Sequence, residues 1–304
     1  MIKAFRLALA YALFSVCARL AVLTLMTYFL VNAHQGLRLE DISDVAGSNE
    51  ILVVGFTALA FVAVLRRLSP VSGGKGLVGL SPAMFETRFV PGFLRGSILA
   101  WAFALAFLLT GYYRYLGFYI QFEESVLALA TVAARIAALG CMVYCEEWIF
   151  RRRFLDHARA HLPPLPAAAL TAAVFCAVKA LQFDLGVMHL ATFFLFALAA
   201  GLRSIKTNDF LYSAGFWAAL LIVFHPLLGL PILGSAFPGV LMIKVQGMED
   251  LATGSGLRLL PDGTDNRTLV FLTGGVGGPL SSFALQFILS VQVAMGWLKL
   301  GRAR

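Results

Sequence analysis

The sequence predicts an all-α, polytopic membrane protein with about eight transmembrane helices. Three observations carry this. Hydrophobic residues make up 60% of the 304-residue chain and charged residues only 13%, where a soluble domain is about a quarter charged. The mean hydropathy is +0.84. The apolar runs are continuous and do not alternate, which excludes a β-barrel.

The apolar runs fall at about 7–32, 51–65, 96–113, 126–148, 165–181, 187–202, 209–233 and 269–297. A helix needs about 20 apolar residues to cross the hydrocarbon, so the second and sixth runs are short. The first is no cleavable signal peptide, because it is too long and Arg19 interrupts it. With the N-terminus inside, the inner segments carry sixteen Lys and Arg and the outer loops five. That bias predicts both termini on the cytoplasmic side. The net charge of +8 then reflects basic inner loops and gives no reason to expect nucleic acid.

The chain divides into an N-terminal two-span region with an inner linker (1–76), a core (77–297) and a short basic tail (298–304). The inner loop 66–95 contains Gly73-Gly74-Lys75-Gly76, which lacks the spacing of a phosphate loop. In the outer loop 234–268, or just at its end, Asn266-Arg267-Thr268 fits the glycosylation triplet, a weak signal. Cys17, Cys141, Cys145 and Cys176 all lie inside apolar runs, so no extracellular disulfide framework is expected. Cys141 and Cys145 share a face at i, i+4. They read as small residues at a helix contact, with a thiolate metal pair as the alternative.

The run Glu146-Glu147-Trp148-Ile149-Phe150-Arg151 carries the chemistry. Ionisable residues in a transmembrane helix are costly and usually functional. Arg151 stands four residues after Glu147, the favourable order for a helical ion pair. Glu147 is expected to pair with it and stay ionised. Glu146 is then the less compensated carboxylate, placed to act as a general base. The alternative is a helix end at which both carboxylates reach interfacial water.

Glu-Glu-x-x-x-Arg at the end of a transmembrane helix resembles the first motif of the CAAX-protease and bacteriocin-processing family (CPBP, also called Abi). These are glutamic intramembrane proteases. The resemblance covers roughly residues 77–290. Gly79-Leu80-Ser81-Pro82 looks like the start of the family core. Phe194 to Gly201, then Thr207 and Trp217, resemble its third motif, and Leu272 to Pro279 is similar to a Gly-rich stretch after its last motif. The resemblance implies a CPBP-like core over 77–297 in a bacterial cell membrane. It also implies a reaction in which the first Glu and a His activate water while a second His and an Asn hold the oxyanion.

Carried over by residue, the base is Glu146. Phe-x-x-x-His falls on Phe175 to Lys179, with lysine in the histidine position, and His-x-x-x-Asn falls on Trp217 to Leu221. Both histidines and the asparagine are absent at the matched positions. A charged Lys179 would lock Glu146 in an ion pair or donate to an oxyanion; a neutral one would share proton transfer. Its structural alternative is snorkelling to the outer interface. Trp217 has one N–H donor and no acceptor, so it packs or donates but moves no proton. His225 lies on the same helix face as Trp217 and Leu221, and Pro226 marks a kink. A shifted register would bring His225 to the site. No resident cofactor is expected, although Glu146, His189 and His225 make a metal site conceivable.

Simple counting sets Glu146 near the inner edge and Lys179 near the outer one, so they meet only if a helix extends or tilts. Three functions follow. The first is an endopeptidase acting on a membrane-associated peptide or protein in the lipid bilayer, with Glu146, Lys179 and Trp217 in its site. The second is a non-catalytic relative that binds such a partner. The third is a transporter built on Arg19, Arg135, Lys179 and Glu146, although no inverted repeat is visible.

Overall fold

The structure is a computed structural model that describes residues 2–33, 39–68, 82–119, 125–183, 185–233, 239–245, 271–275 and 278–301. The Gly73–Gly76 run, most of the 234–268 loop, the Asn266 triplet and residues 302–304 lie outside the described residues.

Helix α1 spans Ile2–Ala33 and α2 Leu39–Leu68. A π-helical turn at Phe85–Phe89 leads into α3, Val90–Leu109. Helix α4 covers Ser125–Glu147 and continues through a π turn, Trp148–Phe154, into Leu155–Arg159. Helix α5 is Pro164–Gln182, with proline in its first turn, where its missing N–H is tolerated. Helix α6, Val187–Thr207, ends on Asn208 in the left-handed conformation (φ 50°). Helix α7, Leu211–Ile222, passes into a π turn at Val223–Leu227 that holds Pro226; proline disrupts the regular ladder there. Helix α8 is Phe283–Gly301.

Five segments are long and apolar enough to cross a membrane: Phe5–Val22, Phe85–Leu109, Val126–Arg159, Pro164–Gln182 and Val187–Thr207. Glu50–Val64, Leu211–Leu227 and Phe283–Lys299 are apolar but shorter. The chain is thus a helical membrane protein. Large apolar side chains such as Leu109, Val126 and Val187 face outward, as a lipid-facing surface requires.

Two details depart from the sequence reading. The run 96–113 ends as helix at Leu109, after which Gly111 turns the chain at φ +79°. Strand β1 (Tyr113–Phe118) follows and pairs antiparallel with β2 (Leu241–Val245), with a bulge between Tyr115 and Gly117. The segment expected to be an outer loop, 234–268, therefore contributes a strand of a two-stranded ribbon. The second departure is in α4, which does not stop near Trp148 but runs on to Arg159.

Small residues set the closest helix contacts. Gly92 and Gly96 on α3 lie against the Tyr212 and Phe216 carbonyls of α7, with no space for a Cβ. Gly215 on α7 faces the Phe89 and Phe93 backbone in the same way. Gly55 on α2 abuts the Ala138 backbone of α4, and Gly201 on α6 touches Ala168 of α5.

The extension of α4 resolves the depth problem. Helices α4 and α5 form a hairpin around Arg159–Pro164. Glu146 precedes that turn by about 20 Å of helix and Lys179 follows it by about 22 Å, at about 1.5 Å per residue. The two residues are therefore level with each other inside the bundle.

Candidate functional site: a buried charge cluster

Helices α1, α2, α4 and α5 bring their polar side chains to one buried seam. Glu146 and Glu147 are only 1% and 0% exposed, so they do not sit at a helix end in interfacial water. Lys179 Nζ on α5 lies 2.6 Å from Glu146 Oε1. The same oxygen accepts the Tyr11 hydroxyl of α1 at 3.1 Å. Met142 Sδ, one turn before Glu146, is 3.7 Å from Nζ. The rings of Phe175 and Phe183 stand 5.7 and 5.1 Å from the ammonium. Lys179 thus points inward and does not snorkel.

The second pair forms as its spacing predicts. Arg151 Nη2 lies 3.2 Å from Glu147 Oε1, with both side chains buried. The Arg151 guanidinium also covers Phe175, at 4.8 Å from its centroid, and faces Phe196 at 5.8 Å. The π turn that begins at Trp148 delivers Arg151 to this place; such widened turns are frequent at functional sites. Among the described residues, Glu146 Oε2, Glu147 Oε2 and Arg151 Nε accept or donate no hydrogen bond.

The seam continues along α1. Tyr11, Ser15 and Arg19 are spaced by four residues and so share one face. Gln182 Nε2 donates to Ser15 Oγ at 3.1 Å. Arg19 Nη1 donates to the Gln182 carbonyl at 2.8 Å, and its Nη2 is 2.6 Å from Glu50 Oε1 on α2. A ladder of polar groups therefore runs from Arg151 to Glu50. Three of the four charges weighed for transport, Arg19, Lys179 and Glu146, lie on it.

Arg135 does not. It meets His225 instead, at 3.4 Å between Nη1 and Nε2. His225 Nδ1 is 3.3 Å from the Leu230 carbonyl. These contacts select the tautomer with Nδ1–H donating to Leu230 and Nε2 accepting from Arg135. Arg135 precedes Glu146 by about three turns of α4, so no shift of register brings His225 to the carboxylates. Among the described residues no group of three or more His, Cys, Asp or Glu is arranged to hold a metal. The site of Glu146, His189 and His225 is therefore not assembled, and Cys141 and Cys145 remain free thiols.

Trp217 and Leu221 are buried in the core. The Trp217 ring stacks on Phe196 at 4.2 Å and meets Phe193 edge-on at 5.5 Å. Among the described residues it is linked to the cluster through these rings, since Phe196 faces Arg151 and Phe193 packs on Phe175. Its Nε1 donates to no group among the described residues, so no donor is aimed at Glu146 from this position.

The sequence reading missed Tyr11, Ser15, Gln182 and Glu50. The missed signal was the period-four polar stripe Tyr11, Ser15, Arg19 in an otherwise apolar helix. No family model, no curated protein and no solved structure matches this chain.

Proposed function

We propose that the chain is a divergent, catalytically silent relative of the CPBP intramembrane proteases, which binds a membrane-embedded protein segment without cleaving it. The observation that carries this is the closed contact of Lys179 Nζ with Glu146 Oε1 at 2.6 Å, with Tyr11 on the same oxygen. A carboxylate neutralised in this way is a poor base, and pulling it from a buried partner costs several kcal/mol. The positions matched to the second histidine and the asparagine hold Trp217 and Leu221, which transfer no proton. In this reading the frame includes all eight apolar helices, with both termini cytoplasmic in a bacterial cell membrane. The basic residues at the Arg151–Arg159 and Arg203–Lys206 ends support that orientation.

One observation favours a second reading, that of an active endopeptidase. Glu146 Oε2 carries no hydrogen bond among the described residues, so it remains able to accept a proton from water. Lys179 would then hold the carboxylate in place and balance its charge.

Comparing the termini of membrane proteins in cells that carry the native chain or Glu146→Gln separates the two. The substitution is nearly isosteric. Identical termini, with the variant still folded and abundant, are expected. Cleavage products that vanish in the variant would overturn the silent reading. Placing histidine at both Lys179 and Trp217 completes the test, since a silent frame gains cleavage or stays silent while an active site loses it.

A further inference from the structure

Between α3, α6, α7 and α8 the bundle holds a cavity of about 500 Å³. Its walls are largely apolar, with Leu99, Phe216 and Met295 contributing from three helices. Its rim is cationic. Arg95, Arg203, Lys206 and Lys299 all line it, and its described lining includes no Asp or Glu. None of these four cations is in an ion pair among the described residues.

The rim is also ordered. Arg95 Nη1 lies 3.0 Å from the Tyr212 hydroxyl. The Arg203 guanidinium sits 3.4 Å from the centre of the Tyr212 ring. Tyr212 thus gathers two arginines from different helices at one side chain, Arg95 at its hydroxyl and Arg203 over its ring, and neither is matched by a carboxylate in the described lining. An apolar chamber under a ring of four cations fits a molecule with an anionic head and hydrocarbon tails.

We propose that this cavity binds one anionic phospholipid, with its phosphate between Arg95, Arg203 and Lys299 and an acyl chain against Leu99, Phe216 and Met295. A free phosphate shares the head-group chemistry but leaves the apolar wall unused. The proposal is independent of whether Glu146 is catalytic.

The test is native mass spectrometry of the purified full chain, released from nanodiscs of phosphatidylglycerol or of phosphatidylcholine. One phosphatidylglycerol per chain is expected to be retained, with phosphatidylcholine at least about tenfold weaker. The double variant R203Q/K299Q is expected to lower that retention about tenfold, whereas Arg203→Lys keeps most of it. Gly296→Leu adds a side chain to the cavity lining, where a Cβ alone already touches Leu202 at 3.6 Å; at a native-like melting temperature it is expected to abolish retention with all four cations in place. Equal retention of the two lipids would overturn the proposal, as would an unaffected double variant of native-like melting temperature. Displacement of phosphatidylglycerol by millimolar inorganic phosphate would show a free-anion site and overturn it as well.

Discussion

The seam at α1, α4 and α5 and the cavity at α3, α6, α7 and α8 use charge in opposite ways. In the seam, Lys179 answers Glu146, Arg151 answers Glu147 and Arg19 answers Glu50. In the cavity, four cations share a rim with no carboxylate among its described lining residues. A charge matched inside the protein holds helices together, while an unmatched charge at a water-accessible rim is available to a partner. By this contrast the family-like motif sits where charges are matched, and the unmatched cations lie where no motif points.

The contrast breaks most visibly at Lys179. Lys179→Ala leaves Glu146 buried and uncompensated, so it is expected to lower stability by about 3–5 kcal/mol, read as a drop in melting temperature in one fixed detergent. The paired change Glu146→Gln with Lys179→Met is expected to recover most of that loss, because neither charge then remains. If the double variant is no better than the single one, the pair does not behave as a unit and the seam is not held by charge matching.

The next effect belongs to the wall the cavity shares with the α3–α7 contact. Gly96→Leu forces side-chain atoms against the Phe216 carbonyl. Overpacking of this kind costs about 1–3 kcal/mol and moves Arg95, one residue away, off the rim. Phosphatidylglycerol retention is expected to fall with stability. Gly140→Ala is the control, since a Cβ there meets nothing within 4 Å; a loss as large at Gly140 would show that glycine substitution is harmful in this bundle regardless of contact. A smaller effect is expected at Tyr11. Tyr11→Phe removes one hydrogen bond to Glu146 but leaves Lys179 in place, for about 1 kcal/mol.

Much of this was legible in the sequence, for physical reasons that differ by residue. The helical membrane class follows from composition, because a chain in lipid must satisfy its backbone internally. The Glu147–Arg151 pair follows from helical periodicity alone. The meeting of Glu146 and Lys179 was obscured, because the π turn at Trp148 and three basic residues look like the end of a span. Only the continuation of α4 to Arg159 levels the two. Gly92 and Gly96 form a G-x-x-x-G pair whose meaning is close helix approach, and it was not read. Of the partners of His225, Leu230 lies only five residues on, past the Pro226 turn, but Arg135 is distant in sequence and was hidden, since a lone histidine carries no spacing. The cavity was hidden for the same reason: its four cations come from three helices and gather only through packing.

An effect of similarly small size separates packing from chemistry at Trp217. The resemblance assigns this position to a histidine that holds an oxyanion, and an indole can supply only a donor. Its Nε1 makes no hydrogen bond among the described residues, while its ring stacks on Phe196. Trp217→Phe keeps an aromatic ring on Phe196 and Phe193 and deletes only the unused donor and some volume. It is expected to cost less than about 1.5 kcal/mol, the range of a well-tolerated apolar swap, and to leave membrane-protein termini unchanged. Leu at the same position loses the stack and should cost more. If Trp217→Phe instead removed cleavage products at unchanged stability, the indole N–H would be a working donor. The charge seam would then be part of an active site and no longer only a structural clasp.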